Sequence, residues 1–204
     1  MIENLLPFLT ASVLLTLSPG PDIMYVLVQS LSNGIRAGIL TTMGLVSGIL
    51  IHTSLVAFGV SAILKESETV YLIIKILGAC YLFYLAYRVW MSKVEFSVQT
   101  NSGLKPEGLA LFKRGFIMNV INPKVTIFFL AFFPGFIWDP TGNTIYQFYL
   151  LGGLFMIQAF MIFGIVAILA GKIAMYLNQH SDAGIIFKWL QIFVFVGIGI
   201  FILL

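Results

Sequence analysis

Charge is what this chain has least of. Asp, Glu, Lys and Arg make up 9% of its 204 residues, whereas a soluble domain carries roughly a quarter. So few charges cannot cover a water-exposed surface, and the bilayer is the expected solvent. Cysteine is nearly absent as well. Cys80 stands alone, which excludes an internal disulfide and a thiolate metal cluster. Histidine occurs only at His52 and His180, without a His–Glu motif, and there is no Gly-x-Ser-x-Gly turn. Intramembrane enzyme chemistry needs a nucleophile–base pair or metal ligands at depth, so neither an enzyme, a metal site nor a cofactor is expected. Basic residues give a net charge of +3. Most of them flank apolar runs, which is an orientation signal and not a nucleic-acid-binding patch. The N-terminus carries Glu3 and no Lys or Arg ahead of its apolar run. That run is also too long for the core of a signal peptide, so it reads as a retained membrane helix.

Apolar residues fill the space that charge leaves: 60% of the chain is hydrophobic and mean hydropathy is +1.04. A spanning helix needs about 20 mostly apolar residues. Six segments qualify: 5–29, 37–64, 69–91, 115–138, 144–171 and 183–204. Short polar breaks separate them, with turn chemistry at Asn33-Gly34 and at Asp139-Pro140. Only the stretch 92–114 is long and polar, and it divides the chain into 1–91 and 115–204. The expected fold is therefore an all-α polytopic membrane protein of six helices, a single transmembrane domain in two three-helix halves. Three spans per half reverse the direction of the second half, which is the arithmetic of an inverted-topology repeat.

Arg36, Arg88, Lys93, Lys105, Lys113, Arg114, Lys172 and Lys188 collect on one side of this scheme, leaving Lys65 and Lys75 for the other. The basic side should be cytoplasmic, which places both termini outside. Re-entry of the broken first segment would move the N-terminus inside.

Two interruptions occupy matching places in the halves: Ser18-Pro19-Gly20-Pro21-Asp22 in the first helix and Asn122-Pro123-Lys124 in the fourth. Proline removes a backbone N–H. Pro19 and Pro21 should thus free the carbonyls of Leu15 and Leu17, and Pro123 that of Asn119. In hydrocarbon each unpaired group costs several kcal/mol unless it is buried in protein or lines a wet cavity. Ser and Asn are favoured helix caps and proline is favoured at the first helical position. Each interruption therefore reads as a fresh helix start inside the membrane, with free N–H groups suited to a carboxylate. The freed carbonyls suit an ammonium, and the alternative is a pair of plain proline kinks. Asp22 and Lys124 sit at mid-segment, where each charge costs at least about 2.5–3.5 kcal/mol. Either they form a structural pair, or Asp22 exchanges protons while Lys124 contacts substrate. His52 is a candidate proton relay or a satisfied interior histidine. Gln158 either lines the pathway or bonds a neighbouring helix. Tyr81, Tyr84 and Tyr87 read as packing with an interfacial end near Arg88, and Trp90, Trp138 and Trp189 as interfacial anchors. Gly44 and Gly48 permit a close helix contact, within the chain or between chains.

The stretches "LSPGPDIMYVLVQSLSNGIRAGILTTMGLVSG" and "GFIMNVINPKVTIFFLAFFPGF" resemble two conserved blocks of the LysE/RhtB family of amino-acid exporters, and "LGACYLFYLAYRVW" is similar to its third-helix pattern. The likeness runs in the same order along nearly the whole chain, and the paired PGPD and NPK motifs are its specific part. It implies export of amino acids or close derivatives across the cytoplasmic membrane of a prokaryote, driven by proton antiport. It carries to Pro19, Gly20, Pro21, Asp22, Asn122, Pro123 and Lys124. Gly135 in "FFPGF" departs from the family, which often has a polar residue there. The candidate substrate-binding set is Ser18, Pro19, Gly20, Pro21, Asn119, Asn122, Pro123 and Lys124, with Asp22 and His52 for proton coupling. Rival readings are a passive channel or facilitator for small zwitterions, and a scaffold protein. The partners expected are an amino acid, protons, the lipid bilayer and, from the small size of the bundle, a second copy in a homodimer.

Overall fold

The computed structural model describes residues 2–60, 68–92, 107–139, 141–179 and 183–203. Lys65, Lys93, Lys105, Pro140 and His180 lie outside the described residues. Eight α-helices are described: α1 (Ile2–Leu17), α2 (Pro21–Asn33), α3 (Ile35–Leu55), α4 (Glu68–Met91), α5 (Gly108–Val120), α6 (Pro123–Ile127), α7 (Thr144–Gln179) and α8 (Ala183–Leu203). Helix α3 widens into a π turn over Val56–Val60. Helix α6 continues as a π turn, Phe128–Phe132, and a tight 3-10 turn, Phe133–Phe136. No strand occurs among the described residues.

Four helical stretches are each long and apolar enough to cross a bilayer: Ile35–Gly59, Thr69–Met91, Thr144–Leu177 and Gly184–Leu203. Two more qualify as bent pairs: Leu5–Leu17 with Pro21–Asn33, bent by 55°, and Gly108–Val120 with Pro123–Phe136, bent by 48°. Counted as one span each, they complete the six spans of an all-α polytopic membrane protein. Both bends fall at the proline interruptions.

Two boundaries differ from the sequence reading. Helix α5 begins at Gly108, so residues 108–114 of the expected linker are helical. Lys113 and Arg114 are good helix formers, and both lie exposed on α5. Helix α7 runs on to Gln179, past Gly171, because nothing after Gly171 stops a helix until the polar residues that follow.

Close approaches between helices set their directions. A Cβ on Gly44 would strike the Phe112 carbonyl, and one on Gly115 the Thr41 carbonyl. Gly108 faces Leu40, and Gly48 faces Asn119. Helices α3 and α5 therefore run parallel in near backbone contact, as the second and fourth of successive crossings must. The glycine pair expected to make a close contact makes it within the chain. Helices α4 and α8 run antiparallel, with Gly199 against Phe83 and Lys188 Nζ donating to the Ser92 carbonyl at 2.9 Å. Gly34, at φ 87°, takes the turn between α2 and α3 in a backbone region other residues rarely adopt. Large apolar side chains such as Phe58, Leu77, Met161 and Phe193 remain more than half exposed, as expected of a surface whose solvent is lipid.

Outside the spans, Asp139 organises the turn before α7. Its Oδ1 accepts from the Thr141 hydroxyl at 2.8 Å and from the amides of Gly142 and Thr141 at 3.0 and 3.1 Å. The Thr141 hydroxyl, then these amides, hold the carboxyl below its ordinary value.

Candidate functional site

The first break is built by two prolines. Helix α1 ends with Ser18 N still donating to Leu14 O at 2.9 Å. Pro21 disfavours a helical Gly20 before it. Gly20 is indeed extended (φ −147°, ψ 176°) and caps α2, with Pro21 at the helix start. The expectation that Ser18 caps the new helix is thus corrected: the restart falls two residues later. Ser18 stays at the end of α1, its hydroxyl buried and without a protein partner.

The second break follows its sequence closely. Asn122 Oδ1 accepts from Lys124 N at 3.0 Å, Pro123 begins α6, and Thr126 N closes the first turn on Asn122 O at 3.0 Å. The amide nitrogen of Asn122 is buried and has no protein partner.

The two breaks meet through Lys124. Its ammonium lies 3.2 Å from Asp22 Oδ2 and 3.4 Å from Oδ1. It also donates to the carbonyls of Leu15 at 3.3 Å and Ser18 at 3.2 Å. Asp22 Oδ1 accepts from Ile23 N at 3.0 Å. Both charged side chains are almost wholly buried, at 6% and 3% exposure. A buried charge is tolerated only when paired and hydrogen-bonded, and here both conditions hold. The sequence assigned freed carbonyls to a substrate ammonium. In this structure the Leu15 carbonyl holds the protein's own ammonium. The Asn119 carbonyl accepts from Asn122 N at 3.0 Å, and His52 Nε2 lies 3.1 Å away. That contact assigns the ring proton to Nε2. It ties His52 to the second break through a carbonyl, not to Asp22.

Gly20 stands between this pair and open space. A Cβ there would lie 2.6 Å from Asp22 Oδ1 and 2.9 Å from Lys124 Nζ. A cavity of about 480 Å³ begins at Gly20, Asn122 and Lys124 and runs along α4 to the exposed Arg88 and Ser92. On the far side of the pair lies a void of about 10 Å³, lined in part by Leu15, Asp22, Asn119 and Phe155. Gln158 Nε2 donates to Thr16 Oγ1 at 3.0 Å, so it bonds a neighbouring helix beside that void. Beyond it the interior is filled by aromatic rings. Phe129 stacks on Phe133 at 4.1 Å and Phe128 on Phe132 at 4.5 Å. Phe8, Phe148 and Phe155 join this buried cluster. The cavity therefore opens on the Arg88 side of the ion pair, and the phenylalanine cluster packs the other side.

Sequence reasoning missed Arg88 and Gln191 as cavity residues and treated Tyr81, Tyr84 and Tyr87 as one group. The spacing held the signal: residues 81, 84 and 88 share one helix face. Tyr81, Tyr84 and Arg88 line the cavity. Tyr87, one position off that face, pairs instead with Trp90 at 6.2 Å.

A family model described as LysE type translocator matches residues 13–204. The chain belongs to the LysE-type translocator family. The likeness read from the PGPD and NPK motifs is borne out. Among relatives of this LysE-type translocator is an uncharacterized membrane protein of Vibrio cholerae serotype O1, 32% identical over 86% of the chain and 85% of the relative. Another is the homoserine/homoserine lactone efflux protein of Salmonella typhimurium, 31% identical over 84% and 82%. The leucine efflux protein of the same species is 28% identical over 96% and 92%. No solved structure matches the chain.

Proposed function

We propose that this LysE-type translocator is a secondary exporter of amino acids or close derivatives in the cytoplasmic membrane, working by proton antiport with alternating access. The buried Asp22–Lys124 pair at the floor of a one-sided cavity carries the reading. The names of two relatives, a homoserine/homoserine lactone efflux protein and a leucine efflux protein, support the substrate class and the direction.

The chemistry follows from the nest that holds Lys124. Two carbonyls and one carboxylate surround an ammonium, the environment an amino acid's own ammonium needs. A substrate entering the cavity exchanges places: its ammonium takes the nest and Lys124 swings out of it toward the cavity. Pro19, Pro21 and Pro123 expose the backbone groups, Gly20 keeps the approach open, the Asn122 amide adds a donor to the cavity wall, and Asn119 and the buried Ser18 hydroxyl lie behind it. A proton on Asp22 and an ammonium beside it exclude each other, because both neutralise the same carboxylate. That exclusion is antiport. His52 orders the second break by donating to the Asn119 carbonyl. The cavity's Arg88 end is the basic, cytoplasmic side, so the state described faces inward, with the phenylalanine cluster as the closed outer side.

The test uses proteoliposomes loaded with L-leucine or L-homoserine under an imposed pH gradient. Wild type is expected to move amino acid against proton flux, and Asp22→Asn to lose the coupling. Unchanged coupling in Asp22→Asn would sink the assignment of Asp22. Wild-type flux indifferent to the gradient would mark a facilitator instead.

A further inference from the structure

We infer that Arg88, held by Tyr84 on α4, is a carboxylate receptor of the cavity and a determinant of its substrate class. This rests on the transport reading above and adds a residue that the two breaks do not contain.

The charges lining the cavity are its starting point. Its lining includes two cations, Arg88 and Lys124, and no acid. Lys124 is neutralised by Asp22 and already has four oxygen neighbours within 3.4 Å. Arg88 has no ion-pair partner among the described residues. Among the described residues the cavity thus presents one positive charge without a counter-charge, and a concave site with such a charge selects an anionic group.

The geometry of Arg88 is suited to that group. One guanidinium nitrogen, Nη1, donates to the Tyr84 hydroxyl at 3.1 Å, and the guanidinium carbon lies 5.9 Å from the Tyr84 ring centre. Cation–π attraction acts at that range. Tyr84 therefore fixes the head while using one of its five N–H donors. The remaining fork matches a carboxylate in two parallel hydrogen bonds. A second, independent feature points the same way. Asn122, 4% exposed, presents an amide nitrogen without a protein partner at the buried end of the same cavity. A donor left unpaired in a buried wall calls for an acceptor. Arg88 at the mouth and Asn122 at the floor are both donors, so the ligand they fit brings oxygen acceptors and negative charge. An arginine acting only as an orientation anchor at the membrane surface needs neither the Tyr84 clamp nor a place in the cavity wall.

The experiment measures binding to purified protein in nanodiscs, without any gradient, so it is independent of proton coupling. The probes are L-leucine and L-homoserine and their carboxamides, which keep side chain and ammonium and lack the carboxylate. Arg88→Gln is expected to weaken binding of the amino acids by roughly 10–100-fold and to leave the carboxamides within about twofold of wild type. Arg88→Lys should recover part of the loss, and Tyr84→Phe should show a smaller loss of the same kind. Equal weakening of acid and amide, or no weakening, overturns the proposal. Binding of neither amino acid to wild type overturns it together with the substrate reading. A selective loss in Arg88→Gln alongside intact coupling in Asp22→Asn would keep the receptor and remove only the coupling.

Discussion

Lys124→Met should be the most damaging single change in this protein, and its cost can be worked from the contacts. Methionine fills a similar volume but carries no charge and no donor. It leaves Asp22 buried without a counter-ion, and breaking a buried pair this way costs about 3–5 kcal/mol. It also strips the Leu15 and Ser18 carbonyls of their partner, at about 1–3 kcal/mol for each buried acceptor left unpaired. Asp22→Asn is milder. The amide oxygen still accepts from Ile23 N, and Lys124 keeps both carbonyls, so the loss should sit near the lower end, about 3 kcal/mol. The two losses share one interaction, so the double variant should fall short of their sum by about 2 kcal/mol. The assay is equilibrium unfolding in mixed micelles with rising SDS, followed by tryptophan fluorescence, for wild type, both single variants and the double. Two results would refute the reasoning. Losses that add to within about 0.5 kcal/mol mean the groups do not interact. A Lys124→Met protein within about 1 kcal/mol of wild type means the nest does not matter to the fold.

Two further outcomes are expected. Gly20→Ala should fold, because the backbone there is extended and the atoms in its way are the ends of flexible side chains; transport should fall by roughly tenfold or more as the pair is displaced, and wild-type flux would show that Gly20 is no window. Thr141→Val should raise the Asp139 carboxyl toward 3.8, since the hydroxyl is the largest cause of its depression; that support is present above this value and is lost as pH falls through the lowered one, and carboxyl NMR titration with no upward movement would contradict the assignment.

Much of this was legible in the sequence because membranes simplify the problem. Apolar runs must be helices, and Pro19-Gly20-Pro21 and Asn122-Pro123 mark breaks within them, whereas the lone Pro7 sits inside α1 without one, so the positions of both bends could be read directly. Asn122 capped its helix as its residue type requires. Ser18 did not, because the reading weighed Pro19 alone and not the restriction Pro21 places on Gly20. Lys124 and Asp22 were recognisable as costly charges, but which carbonyls would receive the ammonium depends on how the two bends cross, and no local pattern encodes that. Arg88 was hidden by its own plausibility. A basic residue at the end of a span serves as an orientation marker, and only the cavity wall shows what else it faces. The phenylalanines behaved likewise: rich content predicts apolar surroundings, while their stacking on one side of the pair is a matter of tertiary placement.

Helix α7 is longer than its task of crossing requires. Its 36 residues span about 54 Å at 1.5 Å per residue, against a hydrocarbon core of about 30 Å. The excess leaves room for a steep tilt or for turns beyond the hydrocarbon. One unbroken rod therefore touches three levels of the molecule. Phe148 and Phe155 belong to the aromatic cluster, Gln158 holds Thr16 beside the ion pair, and the last turns run on to Gln179. A stiff rod transmits displacement along its length. Any rearrangement that parts the rings would swing the far end of the rod as well, so its last turns offer a lever on a packing they never touch.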